Sequence, residues 1–164
     1  MKINMTTDYA FRIIRTMYLQ DNRIVTSKYI SEVENISHGV VLRILKILRE
    51  NNIVKSHQGR GQNVGGFTLK AKMENITMYN ILTIMEGKIE LTFPREDWYI
   101  KKYGNKCGIN QELYRINTNL IQDLQKKSLY EIFVGKKKET STEGKESEKN
   151  HFRCHNKVKE YAPL

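Results

Sequence analysis

The chain of 164 residues is strongly basic, and the excess is greatest near its N-terminus. Lys and Arg total 28 against 18 Asp and Glu, which gives a net charge of +10. Residues 1–70 carry 11 basic and 5 acidic side chains, a net +6, and the other residues carry 17 and 13, a net +4. This excess favours nucleic acid over acidic lipid as a partner, although a basic protein can also owe its charge to solubility alone.

The cysteine content and the distribution of apolar residues predict a cytoplasmic protein without a membrane segment. Two cysteines, Cys107 and Cys154, are too few for a disulfide framework. The first residues lack the apolar stretch of a signal peptide, and the uncharged segment at residues 76–85 is too short to span a bilayer. The length suits one domain with an added arm or tail.

Two helices are predicted in the first 34 residues. The first covers residues 7–20, with Thr7 as its cap and Asp8 in its first turn. The second is short, opening at Thr26 or Ser27 and ending near residue 34. Side chains at helical spacing are predicted to face inward: Ala10, Ile13, Ile14 and Met17 in the first helix, and Ile30 and Val33 in the second.

A third helix is predicted from Ser37, as its cap, to about residue 51. Its many apolar residues would also suit a buried strand. The charged residues Arg43, Lys46 and Glu50 decide for a helix, because they recur every three to four residues rather than alternating.

A β-hairpin is predicted next, with strands at 53–56 and 67–69. The segment between them, 58–66, is rich in glycine and carries Arg60. Three helices followed by a two-stranded wing predict a winged helix-turn-helix, a mainly α fold with a small β-hairpin.

The rest of the chain is predicted to hold a fourth helix, a loop, a long helix and a tail. Thr77 caps the fourth helix, 78–86, and Gly87 ends it. We predict a winged helix-turn-helix domain at 1–87, a sensor-type loop at 88–109, a dimerisation helix at 110–134 and a basic, disordered tail at 135–164. The long helix has apolar residues three or four apart, which form a seam like that of a coiled coil: Leu113, Ile116, Leu120 and Leu124.

The predicted DNA-binding residues lie on the third helix, the second helix and the wing. An α-helix fits the major groove, and the residues at its N-terminus reach base edges. The alternative is that these side chains are only solvated surface charges. We expect base contacts from Ser37, His38, Gly39 and Arg43, contacts to the minor groove or backbone from Arg60, and phosphate contacts from Lys28, Lys46 and Lys55.

Two other classes of protein are alternatives to a DNA-binding regulator. A winged helix can instead be a cofactor-free protein-interaction module, and weak salt dependence of DNA binding would favour that reading. An enzyme is not predicted, because the sequence has no nucleophile elbow, phosphate-binding loop, paired-histidine metal motif or dinucleotide fingerprint.

Several segments in order resemble the family of winged helix-turn-helix transcriptional regulators that includes IscR, NsrR and CymR. The resemblance covers residues 1 to about 134. It implies a homodimer joined through the long helix, binding to a palindromic operator and, usually, repression. The matching segments are TDYAFR at 7–12, Ile36 with Ser37, Leu45 with Leu48, IVKS at 53–56, GGFTL at 65–69 and MEG at 85–87.

The sequence departs from the iron–sulfur members of this family, which carry three cysteines before the dimer helix. Here Cys107 stands alone in that loop. Asp8 matches a carboxylate ligand of some nitric-oxide-sensing relatives, but it is also a common helix-starting residue. The wing is about three residues longer than usual, and Gln58 stands where Arg is common.

Three kinds of signal therefore stay open. One is an iron–sulfur cluster or metal with non-standard ligands, built from Cys107 with Asp8, His38 or a terminal group. Another is thiol chemistry at Cys107, helped by neighbouring lysines. The third is no cofactor, with a small molecule or a protein as the effector. The tail also carries three residues of metal-binding type: His151, Cys154 and His155.

Overall fold

The chain forms a helical body with a two-stranded hairpin beside it. The computed structural model describes residues 3–21, 23–59, 65–91 and 108–135. The predicted mainly α winged-helix class is confirmed. In chain order the elements are α1 (Met5–Leu19), α2 (Ser27–Glu34), α3 (His38–Glu50), β1 (Val54–His57), β2 (Gly66–Leu69), a 3-10 turn (Met73–Asn75), α4 (Met78–Glu86), α5 (Gly108–Gln125) and α6 (Leu129–Val134).

The core is built around α1, which contacts α2, α3, α4 and β2. The predicted inward face of α1 is confirmed, since all four of its apolar side chains are buried. The helical assignment of α3 is also confirmed, because its buried residues recur every three to four positions while its charged residues stay outside. The two helices contribute the following buried side chains to one core cluster: Ala10, Ile13, Ile14, Met17, Val41, Ile44, Leu45 and Leu48.

Thr7 does not cap α1, so that prediction is wrong. The helix begins two residues earlier, and the Thr7 side chain is fully buried. The carboxylate of Glu86, at the end of α4, accepts the backbone N–H of Asn4 at 2.8 Å and the Thr7 hydroxyl. A carboxylate at a helix N-terminus satisfies a free N–H group and opposes the helix dipole. A residue from a distant helix therefore does the capping.

Val33 was predicted to face inward, and this is also wrong, since its side chain is 54% exposed. The contact between α1 and the last turn of α2 is polar instead. Arg12 Nε donates to Glu34 Oε2 at 2.9 Å, and the Thr16 hydroxyl donates to the other carboxylate oxygen. Because Glu34 lies one turn after the buried Ile30, it occupies the side of α2 that faces α1, and Val33 is turned away.

The turn between α2 and α3 depends on Asn35, which has left-handed backbone angles of φ 53° and ψ 47°. The Ser31 hydroxyl donates to the Ile36 carbonyl at 2.7 Å across this turn. Ser37 lies at the N-cap position of α3, as predicted, but its side chain makes no capping hydrogen bond. The left-handed conformation of Asn35 thus reverses the chain sharply enough for α3 to begin directly after α2.

The predicted hairpin is confirmed for the described residues, and its tip, 60–64, lies outside them. β1 and β2 are antiparallel, with Val54 opposite Leu69 and His57 opposite Gly66. Val25 pairs with Phe67 through two backbone hydrogen bonds of 2.8 and 2.9 Å. The segment before α2 therefore holds the hairpin against the helical body.

The C-terminal helices join the body at the start of α4. The predicted cap and end of α4 are confirmed, with a capping box from Thr77 and a positive φ of 84° at Gly87. Ser128 forms a second capping box at α6 and pairs with Thr77 across an isolated bridge. Leu129 is buried, and its N–H donates to the Ile76 carbonyl at 2.7 Å. The end of α5 is thereby attached firmly to the body.

α5 starts two residues before the predicted position 110, and the predicted segment 110–134 is divided between α5, which ends at Gln125, and α6. Across its 18 residues no side chain is buried. Among the described residues, no helix is both long and apolar enough to cross a membrane. The predicted loop at 88–109 lies mostly outside the described residues, as does the predicted tail after residue 135.

We expect Asn35→Ala to lower the free energy of unfolding by about 1 kcal/mol, because a residue with a Cβ is strained in the left-handed region. Asn35→Gly, the matched control, should stay within a few tenths of a kcal/mol of the wild type because glycine adopts this conformation freely. Urea unfolding at one fixed protein concentration measures both. Equal losses for the two variants would contradict the role assigned to the backbone angle.

Candidate nucleic-acid interface

The outer face of α3 is solvent-exposed and mainly polar, with one exposed apolar side chain, Leu42. Gly39, Arg43 and Lys46 are four and three residues apart, and all three are exposed. Ser37 and His38, at the start of the helix, are exposed as well. The opposite face of α3 is buried in the core, so the predicted DNA-binding residues of this helix share the side that a partner can reach.

Gly39 has open space around it. A Cβ added at this position would meet no atom within 4 Å. The folded chain therefore does not require glycine here, although glycine is a poor helix former. A close approach of the α3 backbone to a partner supplies a physical reason for the residue.

The start of α3 is linked to the start of α2 by a hydrogen bond that the sequence did not reveal. The Oγ atom of Ser27 lies 2.9 Å from Nε2 of His38. The two residues are the first of their helices and are 11 positions apart. No periodicity or motif signals such a contact, because it depends on how the two helices pack.

A cleft of about 360 Å³ lies between the start of α2 and the hairpin. The predicted phosphate-binding residues Lys28 and Lys55 are both exposed, and Lys28 lines this cleft. Ser27 also lines it, so the Ser27–His38 bond joins the cleft to the start of α3. The cleft is lined by Thr26, Ser27, Lys28, Ser56, His57, Gly65, Gly66 and Phe67.

The hairpin is seated tightly against the body at Gly66. A Cβ on this residue would lie 2.6 Å from the Val25 carbonyl oxygen and 2.7 Å from Cγ2 of Ile24. His57 on the neighbouring strand has its Nε2 atom 2.8 Å from Oγ1 of Thr68. These contacts determine where the wing leaves the body. The predicted wing-tip residue, Arg60, lies outside the described residues.

The candidate sensor residues are not brought together in the described part of the chain. Asp8 has a side chain that is 65% exposed, and its Oδ2 atom lies 3.9 Å from Nη1 of Arg12. No group of three or more His, Cys, Asp or Glu side chains suited to a metal ion occurs within residues 3–21, 23–59, 65–91 and 108–135. The described residues alone therefore do not fit an iron or cluster site. Cys107 lies outside them.

The predicted seam residues on α5 are only partly covered. Leu113, Leu120 and Leu124 are half-buried, and Ile116 is exposed. Ile109 precedes Leu113 by four residues and is 73% exposed, so it extends the same stripe by one turn.

An ion pair lies beside this stripe. Nη2 of Arg115 is 2.6 Å from Oε1 of Glu112, and the hydrogen bond lowers the pKa of the Glu112 carboxyl. α5 thus combines a partly exposed apolar stripe with a charged margin, as helices that pair with a second helix do.

Comparison with known proteins agrees with this arrangement. Residues 3–134 match the family described as "Rrf2: Iron-dependent Transcriptional regulator". The chain belongs to the Rrf2 family. The resemblance predicted from the sequence is thereby confirmed. No curated protein gives a significant match to the Rrf2 chain described here.

Solved structures share the fold of this Rrf2 protein. CymR, the global cysteine regulator of B. subtilis, is 23% identical with a TM-score of 0.65, covering 82% of this chain and 97% of CymR. IscR of T. potens is 17% identical with a TM-score of 0.60, covering 88% of this chain and 94% of IscR. The oxidized form of Staphylococcus aureus CymR is 20% identical with a TM-score of 0.59, covering 81% of this chain and 96% of that one.

Membership of the Rrf2 family decides between the classes of protein considered above. The protein is a DNA-binding transcriptional regulator, and the prediction that it is not an enzyme is confirmed by its family. The exposed basic residues on α2, α3 and β1 are consistent with this conclusion.

We expect Gly66→Ala to lower the free energy of unfolding by roughly 1–3 kcal/mol, because its methyl group would overlap backbone and side-chain atoms in a packed region. Gly39→Ala adds the same methyl group in open space on a helix, so its free energy of unfolding should be unchanged or up to about 1 kcal/mol higher. Thermal and urea unfolding of both variants measure the difference. A stable Gly66→Ala protein would show that the hairpin is not held as described.

Proposed function

We propose that the protein is a sequence-specific repressor that binds a palindromic operator in the cytoplasm as a homodimer. The observation that carries this proposal is the shared surface formed by the start of α3, the start of α2 and the base of the hairpin. The Ser27–His38 hydrogen bond and the cleft beside Lys28 place these three elements side by side. A protein that inserts α3 into the major groove would bring the other two against the flanking backbone.

Base reading is assigned to the exposed start of α3. Arg43 has the reach and the donors to contact guanine, and Gly39 lets the backbone approach the groove. Lys28, Lys46 and Lys55 are exposed cations that fit phosphate contacts, and Arg60 would extend these contacts from the wing. The base contacts supply specificity, and the phosphate contacts supply most of the affinity and its salt dependence.

The homodimer is proposed to form through α5. An amphipathic helix of 18 residues with no buried side chain leaves apolar surface in water in a single copy. Pairing the stripe with its symmetric copy would remove that surface from water, as in a two-helix seam. Because α6 attaches the end of α5 to the body, the dimer would also determine the separation of the two α3 helices. The stripe comprises Ile109, Leu113, Ile116, Leu120 and Leu124.

The signal is proposed to act on the loop that carries Cys107, by a redox, iron–sulfur or metabolite route. An absorbance spectrum and metal analysis of protein purified without oxygen, beside a DNA-shift assay, separate the routes. Visible absorption with stoichiometric iron would support a cluster with non-standard ligands. A colourless, metal-free protein that binds DNA selectively would leave thiol chemistry or a separate effector.

We expect Arg43→Ala to lose about 1–3 kcal/mol of discrimination between the preferred duplex and one with a single changed base pair. Arg49→Ala is the matched control, because Arg49 is exposed in the last turn of the same helix. Binding titrations with a duplex selected from a random library, and with its single-base variants, measure the effect. If Arg43→Ala weakened binding to all duplexes equally, Arg43 would contact phosphate and not a base.

We expect Leu120→Glu to shift the protein from dimer to monomer, because it places a charge in the proposed apolar seam. Gln122→Glu is the matched control, since Gln122 is exposed and lies about 200° around the helix from Leu120. Sedimentation velocity gives the molecular mass, and circular dichroism checks that helix content is retained. A folded Leu120→Glu protein that stays dimeric would contradict the proposed seam.

A further inference from the structure

The histidine that begins α3 is held by a residue of another helix. The Nε2 atom of His38 is 2.9 Å from Oγ of Ser27, while the imidazole is exposed on the side where DNA is proposed to bind. Ser27 itself is half-buried at the first position of α2. The hydrogen bond therefore restricts the rotation of an exposed side chain by linking it to the first residue of α2.

This contact has a chemical consequence for the rest of the ring. A neutral imidazole carries one donor and one acceptor nitrogen, and a serine hydroxyl can serve as either partner. When Nε2 is engaged by Ser27, Nδ1 is the atom left to meet an external group. No second hydrogen bond to His38 occurs within the described residues. Nδ1 is thus available to donate to a guanine acceptor or to accept from an adenine or cytosine amino group.

We propose that Ser27 is a positioning residue for base recognition, which aims Nδ1 of His38 at one base pair in each half-site. This inference rests on the proposed function of α3 as the recognition helix. Without the bond, the His38 side chain would sample several rotamers, and each productive contact would cost the entropy of ordering it. A pre-oriented ring loses less entropy when it contacts the matched base. The difference in binding free energy between a matched and a mismatched base is therefore larger.

The test uses the full chain and duplexes selected from a random DNA library. We expect Ser27→Ala to lose roughly fivefold to tenfold of base preference at one position of each half-site. His38→Ala should lose preference at that same position. The double variant should resemble His38→Ala alone, because Ser27 acts only through the ring. Ser27→Thr keeps the hydroxyl and should restore most of the preference.

Lys28→Gln is the contrasting control, since it removes a proposed phosphate contact next to Ser27. It should weaken binding to all duplexes similarly and reduce the salt dependence. Circular dichroism and thermal unfolding check that each variant is folded.

Two outcomes would overturn the inference, and they are distinguishable. A wild-type protein that selects no motif would overturn the proposed function, and the role of Ser27 with it. A wild-type motif that Ser27→Ala leaves unchanged, or weakens evenly at every base position, would overturn the role of Ser27 alone.

Discussion

One buried face of α1 lies at the centre of the body. This helix contacts α2, α3, α4 and β2, and its apolar residues meet the buried side of α3 directly. Burial of such side chains contributes about 1.5–3 kcal/mol each, so the face is the main source of cohesion. α3 can expose its charged and polar side chains because its opposite side is buried in this way. The proposed DNA-binding surface of α3 therefore depends on the core behind it.

Two carboxylates complete this arrangement at the ends of helices. Glu86 caps the start of α1, and Glu34 receives Arg12 and Thr16 from its middle. Each of these bonds connects α1 to a different helix, and together they restrict how α1 can slide along its apolar face. Hydrophobic contacts are not directional, whereas hydrogen bonds of this kind specify one alignment. The positions of α2 and α4 relative to α1 therefore follow from polar contacts as well as from packing.

Local patterns in the sequence predicted most of the fold, and long-range contacts account for what was missed. The helical assignment of α3 follows from the spacing of its charged residues, and the bounds of α4 follow from the residues that flank it. Both signals are local in the sequence, so they can be recognised without knowledge of the fold. The cap of α1 was assigned wrongly because its true partner, Glu86, is 79 residues from Thr7. Val33 was misplaced because a charged residue, Glu34, occupies the contact with α1. Side-chain type and helix position indicate His38 as a candidate contact residue, which stays a prediction, whereas its hydrogen bond to Ser27 depends on the packing of two helices.

The open space around Gly39 has a consequence for how such regulators diverge. The outer face of α3 shares no packing with the core, so a substitution there meets little resistance from the fold. Binding preference can then change in small steps while stability stays nearly constant, which removes the usual barrier to new specificities. This protein and B. subtilis CymR share the fold, with a TM-score of 0.65, although their sequences are only 23% identical. This similarity is consistent with extensive sequence change on a conserved fold. If α3 is the recognition helix, as proposed, substitutions on its outer face could change DNA preference without changing the body of the protein.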